Sequence, residues 1–150
     1  MSIPAIRVTR LAILAVLAIG ASACTQPTPP PAVPTLVVTP TPLGLSASGP
    51  TALSVSGTGF DASADIVLDE CHNANLSGAF CLQLAYTTTA ADGSFAATPM
   101  TVQYVISPPG YSVPCDTTPS PNTCSIRAIY GSGPHAGALA AETPLSFAGH

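Results

Sequence analysis

Charged side chains are scarce in this chain, and basic ones are almost missing. Only 7% of the 150 residues are Asp, Glu, Lys or Arg. After the first 23 residues the sole basic side chain is Arg127, so against seven acids the net charge there is 1 − 7 = −6 with His counted as neutral. Nucleic-acid binding needs a basic surface that neutralises phosphates. The sequence therefore predicts no direct nucleic-acid binding by the protein itself.

Tryptophan is absent, and no long helical periodicity follows the first 23 residues. The 17 prolines and 12 glycines make up about a fifth of the chain, which approaches the composition of disordered segments. An apolar content of 47% and several alternating segments nevertheless predict a folded core. Together these features are typical of an all-β domain with many turns.

Motifs for catalysis and metal binding are also missing. No Gly-x-Ser-x-Gly elbow accompanies His135, which lies in a glycine-rich loop at 131–137. Asp69, Glu70 and His72 flank Cys71, but adjacent strand residues point to opposite faces and do not converge easily. If that thiol is in a disulfide, too few metal ligands remain. We therefore predict no enzyme activity, no metal site and no cofactor of the protein's own.

The first 23 residues have the pattern of a bacterial export signal. Arg7 and Arg10 precede an apolar run at 11–19, which is too short for a comfortable membrane span, and small residues follow at 21–23. Ala21-Ser22-Ala23-Cys24 resembles the lipobox of bacterial lipoproteins, which predicts a lipid on Cys24 and attachment to the outer face of the cell membrane. The same small residues suit ordinary signal peptidase, so a freely secreted protein is the alternative.

A proline-rich segment at 24–34 follows the signal. Its prolines favour polyproline II, at about 3.1 Å per residue, so the ten residues 25–34 would hold a domain roughly 30 Å from a surface. The alternative is a disordered tail. Membrane contact is therefore expected only through an N-terminal lipid.

Seven short alternating segments follow the proline-rich segment, separated by turn residues. They lie at 36–39, 51–56, 65–69, 82–88, 95–106, 124–130 and 143–147. The count and spacing predict a seven-stranded immunoglobulin-like β-sandwich at 35–150. Asp92 and Gly93 mark a hairpin turn, and Leu82, Leu84 and Tyr86 are expected to share one strand face.

Four cysteines in the domain predict two disulfides. Local pairing would join Cys71 to Cys81 and Cys115 to Cys124, closing two loops of about ten residues. Crossed pairings remain open from the spacing alone.

The candidate binding residues are four aromatics and one strand face. Phe80, Tyr86, Tyr104 and Tyr111 could line a pocket, or could pack in the core. Alternation places Ser125, Arg127 and Ile129 on one face of the strand at 124–130. Arg127 has two interpretations, which are a surface ion pair or an anchor for a ligand's carboxylate or aromatic ring.

Several of these features together resemble the neocarzinostatin family over roughly residues 35–148. They are the pattern at 53–60, Cys71 and Cys81 ten residues apart, the Ala-Asp-Gly-Ser turn at 91–94, a Cys-Asp pair opening a second loop, and the Pro-Leu-Ser-Phe ending at 144–147. The resemblance implies a sandwich that holds a labile enediyne chromophore in a cleft beside a disulfide-bearing ribbon. In that family the chromophore, not the protein, cuts DNA, so antibacterial activity is implied only through such a ligand.

The resemblance also implies which residues line the cleft. Tyr86 keeps an aromatic five residues after the second cysteine, whereas Asn73 replaces an aromatic of the cleft floor. Ser125, Arg127 and Ile129 fall on the face that lines the family's cleft, at positions that are small or polar in the family.

The sequence is compatible with two functions. The first is a monomeric carrier that buries a small apolar or aromatic molecule on Phe80, Tyr86 and Ile129, with Ser125 and Arg127 fixing its orientation. The second is an immunoglobulin-like adhesion or structural module with no small ligand. A deep, apolar cleft open to solvent would favour the first function, and a filled interior beneath a flat aromatic patch would favour the second.

Overall fold

The computed structural model describes residues 31–72, 80–107, 109–110, 112–115 and 124–148. The strands in these ranges are β1 (Thr35–Thr39), β2 (Leu45–Ser46), β3 (Thr51–Thr58), β4 (Asp65–His72), β5 (Phe80–Thr88), β6 (Phe95–Val102), β7 (Val105–Ile106), β8 (Val113–Pro114), β9 (Cys124–Tyr130), β10 (Leu139–Leu145) and β11 (Phe147–Ala148). Within the described ranges, no helix is long and apolar enough to cross a membrane.

Seven of the strands build two antiparallel sheets. One sheet has three strands in the order β1-β3-β6, and the other has four in the order β10-β9-β4-β5. The remaining short strands form two ribbons, β11-β2 and β7-β8. The predicted seven-stranded all-β sandwich is confirmed, and the two ribbons are additions that the sequence pattern did not predict.

The core lies between the two sheets and follows the alternation of the strands. Leu53 and Val55 on β3 are 5% and 0% exposed, as their spacing predicted. Ile66 and Leu68 on β4 and Ile126 on β9 are completely buried in the same cluster. Burying each of these side chains contributes about 1.5–3 kcal/mol. The face of the four-stranded sheet that carries Ile66, Leu68 and Ile126 is therefore the inner face, and the opposite face is turned away from the core.

The long strand predicted at 95–106 is interrupted. β6 ends at Val102 and β7 begins at Val105. Between them the backbone N–H of Gln103 donates to Oε1 of buried Glu70 at 2.9 Å. The backbone therefore leaves the sheet ladder because it satisfies a buried carboxyl group. Beyond this point β7 pairs with β8, away from the three-stranded sheet.

The turn at 91–94 was predicted as a hairpin, and this was wrong in one respect. Gly93 does adopt a positive φ of 75°, and Asp92 Oδ1 accepts from the backbone N–H of Ser94 at 2.9 Å. However, the strands on either side, β5 and β6, belong to different sheets. The connection crosses the sandwich so that Phe95 enters the core, where its ring lies 5.4 Å from that of Phe60.

A β-bulge in β5 corrects the predicted shared face of Leu82, Leu84 and Tyr86. Leu68 pairs with Ala85, but its neighbour Asp69 pairs with Gln83, so Leu84 is the extra residue. An extra residue reverses the side-chain alternation beyond it. Tyr86 therefore lies on the outer face of the sheet and Leu82 on the opposite side.

Candidate functional site

Both local disulfides are present. Cys71 is bonded to Cys81, and Cys115 to Cys124. The first joins directly paired positions of β4 and β5, and the second joins the residue after β8 to the first residue of β9. The predicted local pairing is confirmed, and the bonds fix one end of the four-stranded sheet.

The strand register arranges the outer face of the four-stranded sheet, the side turned away from the core, in three transverse rows. Paired residues of adjacent strands lie on the same face. We name the rows from their members: an apolar row (Tyr86, Val67, Ile129, Leu139), a charged row (Gln83, Asp69, Arg127, Glu142) and a disulfide row (Cys81, Cys71, Ser125, Pro144). Tyr86 and Leu139 are 67% and 52% exposed, so the outer face presents apolar surface to solvent.

Arg127 is engaged within the charged row. Its Nε lies 3.1 Å from Oε1 of Glu142, and its side chain is only 21% exposed. Of the two interpretations of Arg127, the structure shows the ion pair, with Glu142 as the partner. Such a pair at a half-exposed site adds at most about 1 kcal/mol to stability, so its main effect is to balance the charge of the row.

Asp69 and Ser125, which are diagonal neighbours on β4 and β9, carry polar atoms without partners. Oδ1 of Asp69 and Oγ of Ser125 are buried and make no hydrogen bond within the part of the chain that the structure describes. Burial raises the pKa of the Asp69 carboxyl, and the nearby Arg127 guanidinium partly lowers it again. An unpaired buried polar atom costs free energy, so these two atoms are unsatisfied positions on the outer face.

Asp69→Asn should raise the free energy of unfolding at neutral pH by less than about 1 kcal/mol, because it removes a charge that burial disfavours. The pKa of Asp69 is raised in the folded state, so the wild-type protein loses stability as the pH rises through that pKa. Well below the ordinary aspartate pKa of about 3.9, the carboxyl group is protonated in both the folded and the unfolded state. The advantage of the variant should therefore vanish in acid. Urea unfolding at a series of pH values measures it. An advantage that stays constant at all pH values would contradict this account.

A pocket lies beside the edge strand β5, and we call it the edge pocket. Its volume is about 550 Å³, and its lining residues are Phe80, Cys81, Leu82, Gln103, Ile106, Ser107 and Pro109. The lining is mainly apolar, with one amide and one hydroxyl, and the volume falls in the range of small-molecule sites. Cys81 lines the edge pocket and also belongs to the disulfide row, so the edge pocket borders the outer face at this residue.

The structure separates the candidate residues into three groups. Phe80 lines the edge pocket, whereas Tyr86, Ser125, Arg127 and Ile129 lie on the outer face. Tyr104 is half-buried, and its ring packs 5.6 Å from that of Phe147, in a third place. Tyr111, Asn73 and Cys24 lie outside the described residues.

Glu70 and His72 form a buried pair that sequence reasoning missed. Both are 0% exposed. His72 Nε2 lies 3.1 Å from Glu70 Oε1, and His72 Nδ1 lies 2.8 Å from the carbonyl oxygen of Val113. The sequence predicted that Asp69, Glu70 and His72 do not converge. Asp69 does lie on the other face of β4, but Glu70 and His72 meet. Residues two apart share a strand face, and this spacing was the available signal.

The surroundings of His72 do not provide a metal site in the oxidised protein. One of its ring nitrogens and the sulfurs of Cys115 and Cys124 lie within 4.8 Å of one another. These two sulfurs are bonded to each other, and metal binding requires thiolates. Glu70 and His72 are also closed to solvent, so the pair holds the β7–β8 ribbon against β4 rather than meeting a substrate.

His135 is likewise used structurally. Its Nδ1 lies 2.7 Å from Oδ2 of Asp61, and its ring is 5.5 Å from that of Tyr130. These contacts tie the loop between β9 and β10 to the turn between β3 and β4.

Comparison with known proteins agrees with this architecture. The model of the Neocarzinostatin family matches residues 36–147. Two solved structures, those of macromomycin and of apokedarcidin in solution, are each 21% identical with a TM-score of 0.51; each comparison covers 77% of this chain and 99% of the other. At this identity the likeness shows the fold alone. No curated protein sequence matches the chain significantly. The family model extends from β1 to β11 and includes both disulfides, and the chain therefore belongs to the Neocarzinostatin family.

Proposed function

We propose that the protein is an exported carrier of a small apolar or aromatic molecule, held beside the Cys71–Cys81 disulfide. The observation that carries the proposal is the edge pocket, which is mainly apolar, about 550 Å³ in volume and bordered by Cys81 of the disulfide. The family membership supports carriage of a ligand rather than catalysis. The two disulfides and the family together indicate an exported protein, because disulfides persist in oxidising compartments.

Apolar burial would supply most of the binding free energy. Phe80 and Leu82 are 37% and 42% exposed in the edge pocket, and covering apolar surface contributes about 25 cal/mol per Å². Tyr86 and Ile129 would add a second apolar surface on the outer face, across the charged row, and Ser125 and Arg127 would fix the ligand's orientation. Antibacterial or DNA-damaging activity would follow only from the chemistry of the bound molecule.

Native and denaturing mass spectrometry of protein purified from its own host tests the proposal. We expect extra mass under native conditions that is lost on denaturation. Leu82→Asp should lower the retained fraction at least tenfold, because it places a charge in the edge pocket. Val37→Asp is the matched control, since Val37 is also exposed (58%) but lies on β1 outside the edge pocket. Equal native and denatured masses would contradict carriage and favour the adhesion or structural module.

The proposal includes a lipid anchor on Cys24, supported by the Ala21-Ser22-Ala23-Cys24 sequence and the proline-rich segment that follows. A gain of the mass of a diacylglyceryl-plus-acyl group that survives denaturation is expected, and Cys24→Ser should remove it. Secretion of the unmodified mature chain into the medium would contradict the anchor without affecting carriage.

A further inference from the structure

Two unsatisfied polar atoms belong to diagonal neighbours on the outer face, Asp69 and Ser125. Ser125 is 2% exposed, and among the described residues neither its Oγ nor Oδ1 of Asp69 has a hydrogen-bond partner. Asp69 pairs with Arg127, while Ser125, two residues before Arg127, pairs with Cys71. A carboxylate is a pure acceptor, and a hydroxyl can also accept. The group that would satisfy both is therefore a hydrogen-bond donor.

The charge of the surroundings favours a cationic donor. Arg127 is paired with Glu142 at 3.1 Å, so Asp69, Arg127 and Glu142 together carry −1 + 1 − 1 = −1 when ionised. The chain after residue 23 carries −6, and such a field attracts cations. A ligand carboxylate near Arg127 would lie between two acidic side chains. The alternative of Arg127 as a carboxylate anchor is therefore disfavoured by its neighbours.

The apolar row lies next to Asp69. Val67, two residues away on β4, belongs to it, and same-face strand neighbours are about 7 Å apart. Tyr86 and Ile129 flank Val67 in the same row. The χ2 angle of aspartate is soft, and Asp69 is partly exposed, so its carboxyl group can turn an oxygen toward a group approaching from the outer face. An aromatic body on the apolar row would then place a short cationic arm at Asp69.

We propose that Asp69 and Ser125 form a subsite for the protonated amine of an aromatic or apolar ligand. An ammonium group has three donors, and it would give Asp69 and Ser125 the partners that they lack. The inference rests on the proposed function, because it assigns a chemical class to the ligand that the protein would carry.

Three probes with the same ring test the subsite: naphthylethylamine, naphthylethanol and naphthylacetic acid. The chain has no tryptophan, so naphthalene fluorescence anisotropy reports binding without that background. For the wild-type protein we expect the amine to bind about tenfold more tightly than the alcohol and the acid to bind most weakly. Asp69→Asn should abolish the amine's advantage while leaving the alcohol's affinity within about twofold. Ser125→Ala should reduce the advantage in part.

Asp92→Asn is the control for net charge. Asp92 lies in the exposed turn between β5 and β6 and accepts from Ser94, a role that asparagine can keep. Equal affinity of wild-type protein for amine and alcohol would overturn the subsite and leave carriage intact. Equal losses in Asp69→Asn and Asp92→Asn would overturn it too, because the preference would then come from overall charge. Failure of all three probes to bind would contradict both the subsite and aromatic carriage.

Discussion

Glu70→Ala is expected to lower the free energy of unfolding by about 3–5 kcal/mol. The carboxyl group is completely buried, and its Oε1 faces both His72 Nε2 at 3.1 Å and the backbone N–H of Gln103 at 2.9 Å. Its removal leaves His72 Nε2 buried without a partner, although Nδ1 keeps the carbonyl oxygen of Val113, and it also takes the acceptor from the Gln103 N–H. Because Gln103 links β6 to β7, the loss should also loosen the wall of the edge pocket. Urea denaturation monitored by circular dichroism measures the change.

Two further variants separate the buried pair from an ordinary surface contact. Glu142→Ala breaks the half-exposed ion pair with Arg127 and should cost no more than about 1 kcal/mol. The double variant Glu70→Leu, His72→Phe replaces both buried partners with apolar side chains and should recover part of the loss. No ionisable side chain is then left buried and unpaired, and only the backbone groups of Gln103 and Val113 lose their partners. If Glu70→Ala cost as little as Glu142→Ala, the buried pair would not stabilise the fold as described.

Removing the Cys115–Cys124 disulfide by replacing both residues with alanine should destabilise the protein by about 3–5 kcal/mol. The two disulfides have sequence separations of 9 and 10, so their loop-closure contributions are similar, at about 2–3 kcal/mol each. Cys115 and Cys124 are each 1% exposed and belong to the core cluster. Their sulfurs therefore also fill core volume, and alanine would leave a cavity.

The matched comparison is the double alanine variant at Cys71 and Cys81. Cys81 is exposed, and Cys71, although buried, is not part of the core cluster. Less core packing is therefore lost, and the cost should be smaller by about 1 kcal/mol. Denaturant midpoints of the two variants, each with its other disulfide intact, give the comparison. Equal destabilisation would mean that both bonds act through the unfolded chain alone.

Sequence alternation predicted the strands and the two faces of β9 because each side chain's direction there depends only on its place in a regular strand. It failed at Leu84, where one extra residue reverses the alternation of β5. A bulge depends on how two strands match in register, and this information is not contained in either strand's own pattern. The assignment of β5 and β6 to different sheets is likewise a tertiary property, set by the entry of Phe95 into the core.

Side-chain alternation also predicted the part of the candidate site that lies on β9. Ser125, Arg127 and Ile129 lie on one face of β9, as alternation indicates. That Asp69 stands beside Arg127 depends on the β4–β9 register, and the edge pocket depends on where β7 leaves the sheet after Gln103 meets Glu70. Neither relation has a local signature in the sequence. Both arise from residues that are more than thirty positions apart.

The bulge at Leu84 and the proline at Pro144 also affect how this chain meets copies of itself. β5 and β10 are the two edges of the four-stranded sheet, and an open edge can template the addition of a strand from another molecule. Pro144 lacks a backbone N–H, and Glu142 places a charge on the same edge strand. The bulge disrupts the regular hydrogen-bonding pattern of the other edge. Both edges are thus poor templates for β-aggregation, which suits a domain rich in apolar residues and poor in the charges that usually keep proteins apart.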